Sequence, residues 1–186
     1  MNPSAAQMLE AGEAAPADAV IVLPNNKNII AVAEQVQDLT KKTVRVVKTV
    51  GVAEGFAALM EYDPEASAED NAAAMTSASD RVIPGEVTRA VRDSEVDAGK
   101  ITAGDYLGIC RDGIVVIADS LDAGVVGLLD TLSTEDHEIV TLIEGEGATT
   151  AHTRRLTEWI GEHRPNASVE VHHGGQPLYP YLLSIE

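Results

Sequence analysis

Short continuous apolar runs alternate along the chain with segments whose apolar residues recur every three or four positions. Residues 19–23 (AVIVL) form an unbroken apolar run, which predicts a strand buried on both faces, stopped by Pro24. Ile29, Val32, Ala33 and Val36 then recur at helical spacing and predict a helix over about residues 28–39. Residues 43–47 (TVRVV) are a second strand. Strand, helix and strand with short joins make a βαβ unit, so the two strands are expected to be parallel with a right-handed crossover. Residues 52–62 predict a further helix with Phe56, Leu59 and Met60 turned inward. Ser67 and Asp70 resemble a capping box and start a helix to about Arg81 that is rich in Ala and Ser. Ahead of all this, Ser4 caps a short helix over residues 5–10, which the stretch from Gly12 to Pro16 interrupts.

The pattern changes character at Pro84. Residues 86–91 (EVTRAV) alternate polar and apolar, as an antiparallel strand with one wet face does. Residues 106–110 and 114–118 flank Arg111-Asp112-Gly113, and Asp-Gly between two apolar runs predicts a hairpin. Alternation then resumes with a helix from Ser120 to Leu132, a strand over 138–143, a helix over 149–163, a strand over 168–171 and a final strand over 178–185. The organisation read from this is an N-terminal helix and linker (1–17), a first α/β part (18–83), a β-hairpin segment (84–118) and a second α/β part with a C-terminal strand (119–186). The fold class is α/β, a mixed, largely parallel sheet with flanking helices and an inserted β-hairpin segment. Periodicity leaves open whether the two α/β parts are separate lobes or share one sheet.

Composition narrows what such a fold can do. The chain has 186 residues, 13 Lys and Arg against 30 Asp and Glu, and a net charge of −17. That surplus repels phosphate backbones and anionic lipid, so neither nucleic acid nor a membrane surface is expected as a partner. No apolar run approaches the roughly 20 residues that span a bilayer. Residues 1–15 have no basic end and no long apolar stretch, so no secretory signal is expected there. With one cysteine an internal disulfide is excluded, and a reducing cytoplasm is the expected compartment. Forty-five per cent hydrophobic residues is too many for a disordered chain, despite the charge.

Few residues offer chemistry. Pro24-Asn25-Asn26-Lys27-Asn28 lies where the first strand ends and a helix begins, the position ligands favour in open α/β sheets. Exposed helix N–H groups, Lys27 and three amides suit a carboxylate, a phosphate or a partner's loop. The plainer alternative is that Asn25 and Asn26 make the turn and Asn28 caps the helix. Gly145-Glu146-Gly147-Ala148-Thr149-Thr150 looks like half a dinucleotide fingerprint, but Thr150 replaces the third glycine and Glu144 and Glu146 add negative charge. A strand–helix turn capped by Thr149 is the better reading. Asp93-Ser94-Glu95-Val96-Asp97 fails as a calcium loop because Gly99 comes one residue late and Gly104 stands where Glu is needed. These acids are expected to form a solvated loop. His172 and His173 are adjacent in a strand and point to opposite faces, which does not suit one metal. Cys110 is expected to be buried and inert. No nucleophile–base set is visible, so no catalytic residue and no metal ligand is assigned. The C-terminal stretch from His172 to Tyr181 holds two of the six aromatics. Tyr179 and Tyr181 are expected on one face of a strand, and Pro180 between them predicts an edge strand or a bulge. Paired tyrosines beside Gly174-Gly175 suit a protein interface, with packing on a helix as the alternative.

Three strings carry a resemblance: Ile21 to Ile29 (IVLPNNKNI), Gly85 to Asp93 (GEVTRAVRD) and Gly174 to Tyr181 (GGQPLYPY). In this order, and across essentially the whole chain, they resemble the C-terminal region of fatty acid kinase catalytic subunits, the dihydroxyacetone-kinase-like family. The resemblance implies that an N-terminal kinase domain, matched by nothing here, holds ATP and magnesium. It implies that a domain like this one engages a DegV-type fatty-acid-binding protein, which presents its fatty acid carboxylate for phosphorylation to an acyl phosphate used in phospholipid synthesis. The expected contact residues are then Asn25, Asn26, Lys27 and Asn28, with Gln176, Tyr179 and Tyr181 second. Two rival readings are a dihydroxyacetone-type kinase half that binds its own substrate through His172 or His173, and a structural domain holding a dimer of the full-length protein together.

Overall fold

The computed structural model describes residues 2–134 and 136–186; Met1, the first residue of the expected N-terminal helix and linker, lies outside them. The chain forms two compact units, the first ending at Val82 and the second beginning at Ile83.

The first unit holds α1 (Ala5–Ala14), β1 (Ala19–Val22), α2 (Lys27–Val36), β2 (Thr43–Val46), α3 (Val52–Met60) and α4 (Ala68–Arg81). Ser4 caps α1 in a full capping box with Gln7. The helix continues through Gly12 because its last carbonyls find a partner elsewhere in sequence. Lys42 Nζ donates to Gly12 O, Glu13 O and Ala15 O at 2.9, 3.0 and 2.7 Å. One ammonium thus satisfies acceptors that a helix end leaves open. β1 and β2 pair in parallel, Ala19 opposite Thr43 and Val22 opposite Val46, as the βαβ reading expects. Among the described residues their sheet has only these two strands, and β1 is exposed to half-buried, not covered on both faces as its apolar run suggests. The core of this unit is small: Val47, Ala58 and Met75, with Ile21, Leu23 and Ala72 packed around them. In α3 the outcome reverses the expectation. Ala53, Glu54, Gly55 and Ala58 face inward, while Phe56, Leu59 and Met60 face out. The small side chains let α3 lie close to α4, and the large ones are left on the far side.

The second unit is built on a six-stranded sheet. Its strands are β3 (Ile83–Arg89), β6 (Tyr106–Cys110), β7 (Gly113–Ala118), β8 (Ile139–Glu144), β9 (Ser168–His173) and β10 (Tyr181–Ile185), in the order β7-β6-β3-β10-β8-β9. Among the described residues only β8 and β9 of this sheet pair in parallel, across the helix α6 (Thr150–His163). The other four pairings are antiparallel. The α/β class therefore holds with a mixed sheet, but the largely parallel pairing expected within it does not. The reason is connectivity: β6 and β7 are joined by the two-residue turn Arg111-Asp112, and β10 returns between β3 and β8 running opposite to both. Residues 84–118 and 119–186 contribute strands to this one sheet. The acids expected in a solvated loop instead open a second hairpin, β4 (Ser94–Val96) with β5 (Gly99–Ile101).

One face of the sheet presents Val87, Val140, Leu142, Tyr181, Leu183 and Ile185 to α5 (Leu121–Leu132) and α6. From α5 come Leu121, Val125, Leu128 and Leu129, and from α6 Leu156 and Ile160. The approach of α5 depends on Gly108, where an added Cβ would lie 2.9 Å from Val116 and 3.3 Å from Leu128. A smaller apolar cluster of Ala90, Ile101 and Leu107 lies under the β4–β5 hairpin, with Val96 and Ile117 packed on it. Among the described residues no helix is long and apolar enough to cross a membrane. Leu128 is fully buried at the centre of the larger core. Leu128→Ala is expected to cost about 2–5 kcal/mol, from lost transfer energy and the cavity left behind. Urea unfolding followed by circular dichroism measures it.

Candidate functional site

The Pro-Asn-Asn-Lys-Asn segment leaves the carboxyl end of β1 beside the loop that follows β2. Asn25 adopts a left-handed conformation, φ 52°, which Asn tolerates better than most residues. It is held there from both ends. Its N–H donates to Thr49 Oγ1 at 3.0 Å, and the Thr49 hydroxyl donates back to Asn25 Oδ1 at 2.7 Å. Thr49 is fully buried. The Asn25 amide lies directly on Gly55 of α3, where a Cβ would come within 2.1 Å of Asn25 Oδ1. Next to this pair Glu54 is 1% exposed, and its carboxylate accepts the Val50 N–H. Its place in the first turn of α3 is one that favours negative charge. Asn26, not Asn28, caps α2: its side-chain oxygen accepts the Asn28 N–H at 2.9 Å. Asn25 and Asn26 are thus engaged within the unit, and Lys27 and Asn28 are exposed.

The second group of expected contacts separates in the same way. Gln176 Nε2 donates to Ile143 O and Tyr179 O, each at 3.1 Å, and Gln176 O accepts the Glu146 N–H at 2.8 Å. Gln176 is therefore a clamp that fastens the loop before β10 to the end of β8. Tyr181 is fully buried, with its hydroxyl 2.7 Å from Thr153 Oγ1, and the Thr153 hydroxyl donates to Glu144. Burial raises the Tyr181 phenol; the Thr153 bond lowers it, and Glu144 and Asp122 raise it further. Tyr179 is half-buried, and its phenol is also raised, first by burial and then by the nearby charge of Glu86. The two rings do not share a strand face, because the chain turns between them and the strand begins only at Tyr181. Leu178 has φ 71°, its carbonyl accepting the Thr88 hydroxyl at 2.7 Å. Pro180 does not mark an edge strand, since β10 is central. It stands just ahead of the strand, where a missing N–H is harmless, and its carbonyl accepts the Gly145 N–H at 2.9 Å.

The turn from Gly145 to Thr149 is a capped strand–helix join. Thr149 caps α6 through the His152 N–H, and the Gly145 and Glu146 N–H groups point into the loop at Pro180 and Gln176. A phosphate would find those donors already used. His172 and His173 are exposed on β9, 3.5 Å from Glu170 and 3.9 Å from Glu144 respectively. Cys110 is half-buried at the end of β6. Sequence reasoning missed Thr49 and Glu54. A single Glu in an otherwise apolar helix was the available signal for the second; nothing local marks the first.

Comparison with known proteins places the chain. Residues 1–186 match the model for the FakA-like C-terminal family of fatty acid kinases, and the chain belongs to that family. An uncharacterised protein of Staphylococcus haemolyticus is 40% identical over 186 residues, all of this chain but 34% of its own length. The chain thus spans about a third of the length of that relative. Two solved structures share the fold at low identity. One is the fatty acid kinase B3 protein of Streptococcus pneumoniae loaded with linoleic acid: TM-score 0.68, 12% identity, over 99% of this chain and 76% of that one. The other is the dihydroxyacetone kinase of C. freundii in complex with AMP-PNP and Mg2+: TM-score 0.65, 13% identity, over 98% of this chain and 41% of that one.

Two outcomes follow from the geometry. Gly55→Ala is expected to push the Asn25 amide off Thr49 and cost about 1–3 kcal/mol. Adding Asn25→Gly is expected to restore part of that loss, because Gly accepts φ 52° and removes the clashing amide; urea midpoints of the single and double variants check it. Burial raises the Glu86 carboxyl above its ordinary value. A carboxyl that holds its proton more tightly when folded contributes stability below its unfolded pKa, and this is lost as pH rises. Glu86→Gln is therefore expected to raise the urea midpoint at pH 7, with the gain vanishing below about pH 4, near the unfolded pKa of Glu.

Proposed function

We propose that this chain is the carrier-docking domain of a bacterial fatty acid kinase, inactive by itself and working in the cytoplasm. The observation that carries the reading is the family match across all 186 residues, in a chain that spans only 34% of a relative's length. The remainder of such a protein has room for a domain that binds ATP and magnesium. The role of this domain is to hold a DegV-type fatty-acid-binding protein so that the carboxylate of its fatty acid meets the nucleotide, giving an acyl phosphate for phospholipid synthesis. The exposed Lys27 and Asn28, and the half-buried Tyr179, are the members of the expected contact set with reach to a partner.

The fold likeness to dihydroxyacetone kinase raises a second reading, a domain that binds its own small substrate. His172 and His173 weigh against it, because they stand exposed beside carboxylates on β9, where a bound ketone would meet water. The net charge of −17 favours a basic or neutral face on the carrier. Calorimetric titration of the chain with a DegV-type fatty-acid-binding protein from the same organism is expected to show binding at high micromolar concentration or tighter, with association slowing as salt is added. Two folded proteins that show no binding under those conditions would overturn the reading.

A further inference from the structure

The outward face of α3 is apolar where a helix on a protein surface is ordinarily polar. Val52, Phe56, Leu59 and Met60 lie at helical spacing on one side and are 46, 48, 57 and 72% exposed, and Tyr62 just beyond the helix is 51% exposed. The opposite side, which packs inward, carries Ala53, Gly55 and Ala58. This is an amphipathic helix turned inside out: the larger apolar payload faces water. The inversion is held in place by the site beside it. The Asn25 amide occupies the space over Gly55, and Glu54 is buried against the Val50 N–H. Rotating α3 to bury Phe56 and Met60 would expose or unpair both. Each exposed aliphatic side chain forgoes burial that would stabilise it, so a contiguous stripe of this kind marks a docking surface.

The charge around the stripe selects its occupant. Glu61, Asp63 and Glu65 follow its C-terminal end and are exposed. Glu61 has Arg81 at 3.6 Å, and among the described residues no cation pairs with Asp63 or Glu65. A second copy of the chain meeting this face across a two-fold axis would bring acid against acid, on a molecule already at −17. We propose that the α3 face docks a partner protein whose apolar patch is ringed by basic side chains. Resting on the function proposed above, that partner is the fatty-acid-binding carrier. Val52, Leu59 and Met60 supply the buried centre of the contact, and Asp63 and Glu65 supply the rim that steers the encounter.

The test compares variants of the chain with the carrier as probe, at about 0.15 M ionic strength. Leu59→Ser with Met60→Ser is expected to weaken binding at least about tenfold, chiefly through faster dissociation. Asp63→Lys with Glu65→Lys is expected to slow association and flatten its salt dependence. All four positions are exposed, so the thermal unfolding midpoint should not move, and Met60→Gln is the milder variant where it does. Oxidative footprinting gives an independent readout: bound carrier should protect Met60 from peroxide. A wild-type chain that binds no carrier removes the functional reading and this inference with it. A wild-type chain that binds carrier while the α3 variants bind within about twofold of it overturns the docking face alone. Self-association abolished by Leu59→Ser with Met60→Ser would assign the face to a second copy and overturn the proposed partner.

Discussion

The second unit depends on where its last strand lies. β10 pairs with β3 on one side and with β8 on the other, all five of its residues in register with both neighbours. Without it the sheet would be two fragments, β7-β6-β3 and β8-β9. All five residues are buried, and Tyr181, Leu183 and Ile185 belong to the core under α5 and α6. The last strand thus closes a sheet whose first strand, β3 (Ile83–Arg89), lies about a hundred residues earlier in the chain. Such long-range pairing carries a large loop-closure cost before any contact repays it. The loop ahead of β10 sets the register. Gln176 bonds to Ile143 and Tyr179, Pro180 accepts from Gly145, and Leu178 is held in a left-handed turn by Thr88.

This gives the Gly-Gly-Gln-Pro-Leu-Tyr-Pro-Tyr string a structural reason. Gln176 works as a clamp, Pro180 as a stop before the strand, and Tyr181 as a core side chain with its hydroxyl on Thr153. The Pro-Asn-Asn-Lys-Asn string divides similarly. Asn25 and Asn26 shape the turn and cap α2, and they leave Lys27 and Asn28 outside. In both strings the unusual residues are largely occupied in building the surface on which other residues are displayed.

In α3 the turn and the surface meet. The small inward side chains of this helix, the Asn25 amide over Gly55 and the buried Glu54 fix its rotation, and that rotation puts Phe56, Leu59 and Met60 on the surface. Stability of the turn after β1 and display of an apolar stripe are therefore one structural fact. The acidic character of the chain then gives that stripe a charged border.

Much of this was legible in the amino-acid sequence. Local signals act over a few residues: Ser4, Ser67 with Asp70, Thr149, and Asp112-Gly113 each marked an element end where one exists. The βαβ order implied that β1 and β2 run in parallel, and they do. What the sequence did not determine was partner choice. Periodicity says that a segment is a strand, not which strand lies beside it, so the antiparallel insertion of β10 and the two-stranded extent of the first sheet were invisible. The face that α3 buries was likewise set from a distance. Apolar spacing favours putting large side chains inward, but close packing on α4 and the Asn25 amide over Gly55 needed small ones there. By itself the sequence determined most of the elements, their order, the family and the charge, but not the β4–β5 hairpin. The tertiary structure alone decided which residues those elements hide and which they show, because burial is a property of neighbours that the chain brings together only on folding.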